Sequence, residues 1–240
     1  GIDNVVVSHM EECELPPTAE EESGESEQEY LLDDNFDSYN PGTLEAGSAG
    51  NITYAKVDGN MVAKAERTSA NGSCTHVFKF SPSKRDVIVD LDVYLGDTTH
   101  STKVIYLMTK GEYSIPLYFE SDSLYLLKGG ERILIKKGFT EQQWYHMTLT
   151  TNVSSGKASL EIDGDLVSDS VQILGAVSSF DSFRFAITAG SNSYFYIDNL
   201  VIKQNSGVAG DKQYTGYNPD NDAPYLSDYT LKYNKAPSGI

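Results

Sequence analysis

The chain has 240 residues, 35 of them acidic and 18 basic, for a net charge of −17 at pH 7. Such a surface repels phosphate backbones and argues against nucleic-acid binding. No apolar run reaches the roughly 18 residues of a membrane-spanning helix, and two cysteines, Cys13 and Cys74, are too few for a disulfide scaffold.

The first residues read GIDNVVV, and YIDNLVI recurs at Tyr196–Ile202. The echo has three readings: chance, an expression tag ending in Ser8-His9-Met10, or the closing strand of two domains of one kind. On the last reading, residues 1–8 are the tail of an upstream module. Residues 9–29 follow as an acidic linker. Glu11 to Glu29 holds nine glutamates and no Lys or Arg, with almost nothing to bury. Without those nine, 26 acidic residues stand against 18 basic ones, an ordinary balance. A pairing of Cys13 with Cys74 would staple this linker to the body, so two free thiols are expected.

Residues 30–204 read as all β. Runs of strand length follow one another: VIVDLDVYL, KVIYLMT, SIPLYFE, SLYLLK, RILIKK, WYHMTLTT, ASLEIDGDLV, SFRFAIT and YFYIDNLVIK. Each is rich in β-branched and aromatic residues. Lys110-Gly111-Glu112, Lys128-Gly129-Gly130-Glu131 and Asp163-Gly164-Asp165 sit between runs as hairpin turns. Hairpin order over ten or more strands predicts an antiparallel β-sandwich of jelly-roll type. Residues 205–224 form a second polar linker with Asn-Pro and Asp-Asn turn signals. On the reading of the echo as a domain end, residues 225–240 are expected to be the start of a following module.

Alternation along each strand assigns faces. Val87/Val89/Leu91/Val93, Ile105/Leu107, Ile115/Leu117/Phe119, Leu124/Leu126, Tyr145/Met147/Leu149, Leu160/Ile162 and Phe183/Phe185/Ile187 form the core. The opposite sides carry Asp90, Asp92, Tyr94, Tyr106, Tyr118, Tyr125, Trp144, His146 and Arg184. If these strands are neighbours in one sheet, that sheet displays tyrosines, carboxylates and an arginine together.

The stretch EQQWYHMTLTTNVSSGKASLEIDGDLV resembles the Trp-to-Asp-Gly hairpin segment of laminin-G-like and concanavalin-A-like jelly rolls. DDNFDSYNPG and FYIDNLVIKQ resemble the paired terminal strands of that superfamily. The resemblance covers about residues 30–204. It implies a domain of the kind found as a carbohydrate-binding module in bacterial multimodular polysaccharide-degrading proteins, beside lyases and hydrolases. It also implies that Trp144 helps hold the sandwich.

Glucanases of that group carry a strand resembling E-x-D-x-x-E. Their chemistry needs two carboxyls about 5–5.5 Å apart for retention and about 6.5–9.5 Å for inversion. Here VDLDVYL puts Asp90 and Asp92 on one face, but Tyr94 stands where a third acid belongs. SLEIDGDLV offers Glu161 and Asp163, the latter in a turn. The four histidines, His9, His76, His100 and His146, show no metal spacing, and no nucleophile elbow or P-loop occurs. The balance is against catalysis, with a glycosidase or lyase using Asp90 and Asp92 as one alternative and a structural or adhesive spacer as another.

The leading expectation is a non-catalytic carbohydrate-binding module in an extracellular, multi-domain protein. Tyrosine faces pack on sugar C–H faces; carboxylates and arginine satisfy hydroxyls and uronate groups. Asp90, Asp92, Tyr94, Tyr106, Tyr118, Tyr125 and Arg184 are the ligand-binding candidates. Lys128, Arg132, Lys136 and Lys137 form a basic cluster that would suit an anionic, pectin-like glycan. The resembling jelly rolls often tie the N-terminal segment to the last strand with structural calcium. Oxygen ligands suit that ion, and Asp34, Asp37 and Asp198 are the candidates here. Expected partners are a polysaccharide and neighbouring modules of the same polypeptide.

Overall fold

The computed structural model describes residues 29–43, 51–68, 73–97, 101–190 and 192–205. Apart from Glu29 and Asn205, both expected linkers lie outside these residues, as do the expected flanking-module segments, Cys13, His9 and His100. Cys74 is buried and unpaired.

Among the described residues, fifteen strands run in chain order: β1 (Tyr30–Asp34), β2 (Gly42–Thr43), β3 (Asn51–Val57), β4 (Asn60–Arg67), β5 (Cys74–Lys79), β6 (Val87–Leu95), β7 (Ser101–Thr109), β8 (Glu112–Glu120), β9 (Ser123–Lys128), β10 (Glu131–Lys137), β11 (Gln143–Asn152), β12 (Lys157–Ile162), β13 (Asp165–Gln172), β14 (Ser182–Gly190) and β15 (Ser193–Gln204). They form the expected antiparallel jelly-roll sandwich. One sheet, here sheet A, has the order β13-β12-β11-β6-β15-β4-β3-β2, with β1 also paired to β15. Sheet B has the order β10-β9-β8-β7-β14-β5.

The hairpins turn where left-handed backbone is cheap. Lys110-Gly111 and Asp163-Gly164 both have positive φ at each central residue, which matches the twist of the flanking strands. Asp58-Gly59 does the same between β3 and β4. That hairpin escaped the strand reading because NMVAKAER is rich in Ala and Lys. Its inward residues, Ala63 and Ala65, are nonetheless fully buried against β15.

The inward faces are those that alternation selects. Val89, Leu91 and Val93 of β6 and Met147 and Leu149 of β11 meet Ile105, Leu107, Leu117, Phe183 and Phe185 of sheet B. Apolar burial of this kind stabilises by about 25 cal/mol per Å² removed from water. One end carries a polar clasp instead. Lys103, only 2% exposed, points inward from β7. Its Nζ donates to the Asp97 carbonyl at 2.5 Å and to Ser101 Oγ at 2.7 Å, and pairs with the Asp97 carboxylate at 3.2 Å. Ser193 Oγ of β15 donates to the same carboxylate, so the clasp joins the two sheets. Ser101 and Thr102 therefore begin a buried strand.

The DDNFDSYN segment closes the sandwich near β3 and β5. Asp34 Oδ1 accepts the Phe36 backbone N–H at 2.8 Å, and Asp34 Oδ2 accepts the Tyr39 hydroxyl at 3.0 Å. Phe36 adopts φ +60° and is fully buried between Tyr54 and Phe78. Asp34 thus holds a strained turn that plugs the core with Phe36.

Candidate functional site

The seven ligand-binding candidates do not share a face. β6 lies in sheet A, whereas β7, β8, β9 and β14 lie in sheet B. The outward sides of the two sheets are the opposite surfaces of the sandwich. Asp90, Asp92 and Tyr94 are on one of them; Tyr106, Tyr118, Tyr125 and Arg184 are on the other. Alternation distinguishes in from out but does not say which sheet a strand joins.

On sheet A, Tyr94 stands between Trp144 of β11 and Tyr196 of β15. Its ring meets Trp144 edge-on at 5.3 Å and stacks with Tyr196 at 5.1 Å. Tyr194 joins at 5.2 Å from Tyr196. The Tyr194 ring crosses Gly96, where an added Cβ would lie 2.3 Å from it. Trp144 is therefore part of an outer aromatic cluster and does not enter the core. Burial pushes the Tyr196 hydroxyl up to about 12, with Tyr194 and Tyr94 adding to it.

Below the rings, the carboxylates are already engaged. Asp92 Oδ1 meets His146 Nδ1 at 2.8 Å, and Asp92 Oδ2 accepts the Asn199 side-chain amide at 2.7 Å. Asp90 accepts the Thr148 hydroxyl at 2.8 Å and pairs with Lys203 at 3.1 Å. Glu161 opposes Thr148 on β12, while Asp163 sits in the hairpin turn and accepts the His146 backbone N–H at 2.8 Å.

Sheet B presents a different surface. Its central strand, β7, is buried on both sides. The outward Val104, Tyr106, Met108 and Ala186 pack together, with Tyr118 partly buried against them. Tyr106 and Tyr118 hydroxyls hydrogen-bond at 2.8 Å. Tyr113 lies flat on Tyr106, centroids 4.3 Å apart at 17°. Arg184 opposes Tyr106 in the register. Its guanidinium carbon lies 5.4 Å from the Tyr106 centroid and 5.7 Å from that of Tyr113. Arg184 Nε donates to Thr75 Oγ1 at 2.6 Å and Nη1 to the Tyr113 hydroxyl at 2.6 Å. Burial, then the bond to Tyr118, pushes the Tyr106 hydroxyl far up, so it stays protonated.

Farther along, Tyr118 opposes Tyr125, and Tyr125 opposes Leu134 of β10. Tyr113 and Leu134 are 45% and 47% exposed, so both ends of this band are apolar and open. An open groove of about 900 Å³ wraps the edge of β5 and reaches Val77 and Met108, beside Arg184 and Tyr106. Of the basic cluster, Arg132 is neutralised by Glu120 at 2.9 Å. Lys128, Lys136 and Lys137 lie on the β9–β10 hairpin at the sheet edge, where charges also discourage edge-to-edge pairing.

Tyr113 and Thr75 were absent from the sequence candidates. A bulge between Leu107 and Met108 changes the register of β7 on β8, which brings Tyr113 over Tyr106. Tyr194, Tyr196 and Asn199 were also missed. The Tyr-Phe-Tyr alternation was the available signal for the first two.

The three metal candidates are each engaged in hydrogen bonds within the protein. Asp34 is committed to its own turn. Asp37 accepts the Met61 backbone N–H at 3.3 Å. Asp198, 4% exposed, accepts the Asn60 amide at 2.6 Å and the Asn199 backbone N–H at 2.8 Å. A bulge at Asp198–Val201, with Asn199 in left-handed backbone, sets that geometry. Burial raises the Asp198 carboxyl above the usual carboxylate range; the Asn199 N–H opposes this, and the carboxylates of Asp92 and Asp37 add to it. Among the described residues, no group of three or more His, Cys, Asp or Glu is placed to hold a metal. None of them forms a helix long and apolar enough to cross a membrane.

No family model and no curated protein matches the chain. Solved structures match in fold. A sialidase superposes with a TM-score of 0.58 at 12% identity, over 88% of this chain and 21% of its own. A structure describing cell entry of botulinum neurotoxin type C as dependent on two ganglioside molecules gives a TM-score of 0.52 at 12% identity, over 73% and 47%. The binding domain of botulinum neurotoxin DC in complex with SialylT gives 0.52 at 13%, over 72% and 47%. The chain thus spans between about a fifth and a half of these chains. At such identities the likeness is one of fold: an all-β sandwich like the jelly-roll-like domains of these proteins.

Proposed function

We propose that this chain is a non-catalytic carbohydrate-binding domain of an extracellular polysaccharide-degrading protein, and that it binds a polysaccharide across the outer face of sheet B. The supporting observation is the band from Tyr113 and Arg184, seated on the buried Tyr106, through Tyr118 to Tyr125 and Leu134. It combines ring faces for sugar C–H groups with hydroxyl and guanidinium donors, the combination a sugar site needs. The contribution to a larger protein is effective concentration: a tethered domain holds a neighbouring module near its polymer without new chemistry. The dependence of botulinum neurotoxin type C on two ganglioside molecules for cell entry, and the SialylT complex of the botulinum neurotoxin DC binding domain, are consistent with that role.

The alternative is hydrolysis or elimination at Asp90 and Asp92 on sheet A. There Asp92 orients His146, as a positioned base requires. Against it, Asp90 is tied to Lys203 and Thr148, which leaves it poorly placed as a proton donor. Incubation with insoluble polysaccharides separates the readings. The proposal expects depletion of the protein from solution and no new reducing ends or unsaturated uronates. Product release that Asp92→Asn abolishes would establish the enzyme instead.

A structural calcium is a separate proposal with a narrower donor set, Asp37 and Asp198, and with Asn60 able to turn its amide oxygen toward the ion. The crowding of Asp37, Asp92 and Asp198 supports it, because a divalent cation would relieve their repulsion. The present arrangement, with each carboxylate bonded to N–H groups, does not form a cage. Chelation should lower the melting temperature and added calcium restore it; an unchanged melt in chelator would remove the ion from the account.

A further inference from the structure

We infer that Arg184 makes sheet B selective for acidic sugars, by holding the carboxylate of a uronate residue. The inference rests on the carbohydrate-binding reading above and narrows it to a ligand class.

Arg184 is partly buried on β14, one strand in from the β5 edge, yet none of the ion pairs among the described residues includes it. In a chain with 35 acidic and 18 basic residues, acidic partners are plentiful. Arg132, on the same sheet, has found Glu120 and makes a hydrogen bond of 3.2 Å to it. Arg184 instead rests on neutral groups: the Thr75 hydroxyl, the Tyr113 hydroxyl and two ring faces.

The donor arithmetic favours a planar anion. A guanidinium has five N–H donors in a fixed fork. Thr75 takes the one on Nε, and Tyr113 takes one of the two on Nη1. The remaining Nη1 donor and both Nη2 donors are left for a ligand. Nη1 and Nη2 together form the end-on pair that meets a carboxylate bidentately. Thr75 and Tyr113 fix the plane of the fork, and Tyr106 supports it from below. Pre-set orientation of this kind lowers the entropic cost of binding.

The surroundings suit a chain-like sugar acid. The β5 groove leads to Val77 and Met108 beside Arg184, while Tyr118 and Tyr125 continue the band on the other side. Lys79 and Lys110 line the same groove and are matched there by Asp34 and Asp181, so the positive charge offered to a ligand is that of Arg184 beside it. On the opposite surface Asp90 and Asp92 would repel the same ligand. A sugar carboxylate placed against Arg184 therefore has complementary charge on one face alone.

The test is isothermal titration calorimetry of the 240-residue chain with an oligomer of polygalacturonate, with the same oligomer fully methyl-esterified, with a neutral glucan oligomer and with a sulfated one. The expected result is binding of the free acid and at least about tenfold weaker binding of the ester, the scale of one lost charge-assisted hydrogen-bond pair. Arg184→Gln should erase that preference. Arg184→Lys should keep part of the attraction and its salt dependence but lose most of the affinity, because an ammonium cannot reproduce the fork. Tyr113→Phe should weaken acid binding less than Arg184→Gln. Thermal melts identify any variant that fails to fold, with Tyr113→Phe as the milder replacement. Acid and ester binding equally, preference for the sulfated oligomer, or acid binding that survives Arg184→Gln would overturn the uronate inference and leave sugar binding standing. Binding of the neutral oligomer alone would do the same. No binding to any oligomer would overturn both.

Discussion

The two outer faces of the sandwich are made of similar residues put to different use. On sheet A, Tyr94, Trp144, Tyr194 and Tyr196 pack on one another, and Asp90 and Asp92 are bonded to Lys203, Thr148, His146 and Asn199. On sheet B, Tyr106 is buried as a foundation, Tyr113 and Leu134 are open, and Arg184 has no carboxylate partner among the described residues. Composition does not separate a closed polar lattice from an open one. What separates them is whether each polar group has already found its complement within the protein. Sheet A has largely satisfied its carboxylates; on sheet B, Arg184 retains N–H donors that no carboxylate among the described residues takes.

The difference can be broken at its foundation. Tyr106 is 3% exposed, so Tyr106→Ala should cost about 3–5 kcal/mol of stability, as for other buried aromatic truncations. Tyr194→Ala, on the half-buried cluster of sheet A, should cost no more than about 1–2 kcal/mol. Urea unfolding measures both; equal losses would mean that the two clusters are built alike. A smaller change sharpens the contrast in binding. Tyr125→Ala should weaken polysaccharide affinity by about 1 kcal/mol, roughly fivefold, while leaving the melt nearly unchanged. Tyr94→Ala should leave affinity unaltered.

Alkaline titration followed by tyrosinate absorbance offers a third contrast. Tyr196 has a folded value of about 12 against 10 unfolded, so its native state keeps the proton longer. The stability from this group is fully present below pH 10 and is lost as pH rises through 12. Tyr196→Phe should remove that titration phase. Tyr106, pushed higher still, should ionise only as the chain unfolds, and an earlier ionisation would mean that its face is open to water. The smallest effect belongs to Asp92→Asn. An amide can keep one hydrogen bond to Asn199 or His146, so stability should change by no more than about 1 kcal/mol and sugar affinity should not change.

Much of the fold was legible because alternation and turn chemistry are local. The Asp-Gly and Lys-Gly pairs mark hairpins through their left-handed backbone, and every apolar face assigned by period two is buried. Sheet membership is not local. The outward residues of β6 and β7 look alike in sequence, yet they point to opposite surfaces, so seven candidates read as one site became two. Tyr113 was hidden by a bulge, which shifts the register without a mark of its own in the residue pattern. The aspartates of DDNFDSYN looked like metal ligands, but Asp34 is occupied in seating Phe36, a contact that depends on the core it plugs.

The most direct measurement is native electrophoresis of the chain through gels cast with neutral and anionic polysaccharides, run beside Tyr125→Ala and Tyr94→Ala. The account predicts retardation of the wild-type chain and of Tyr94→Ala in at least one gel, with the polymer left intact and Tyr125→Ala running freely. Unretarded migration of the wild type in every gel, or release by Tyr94→Ala instead of Tyr125→Ala, would contradict a sugar site on sheet B.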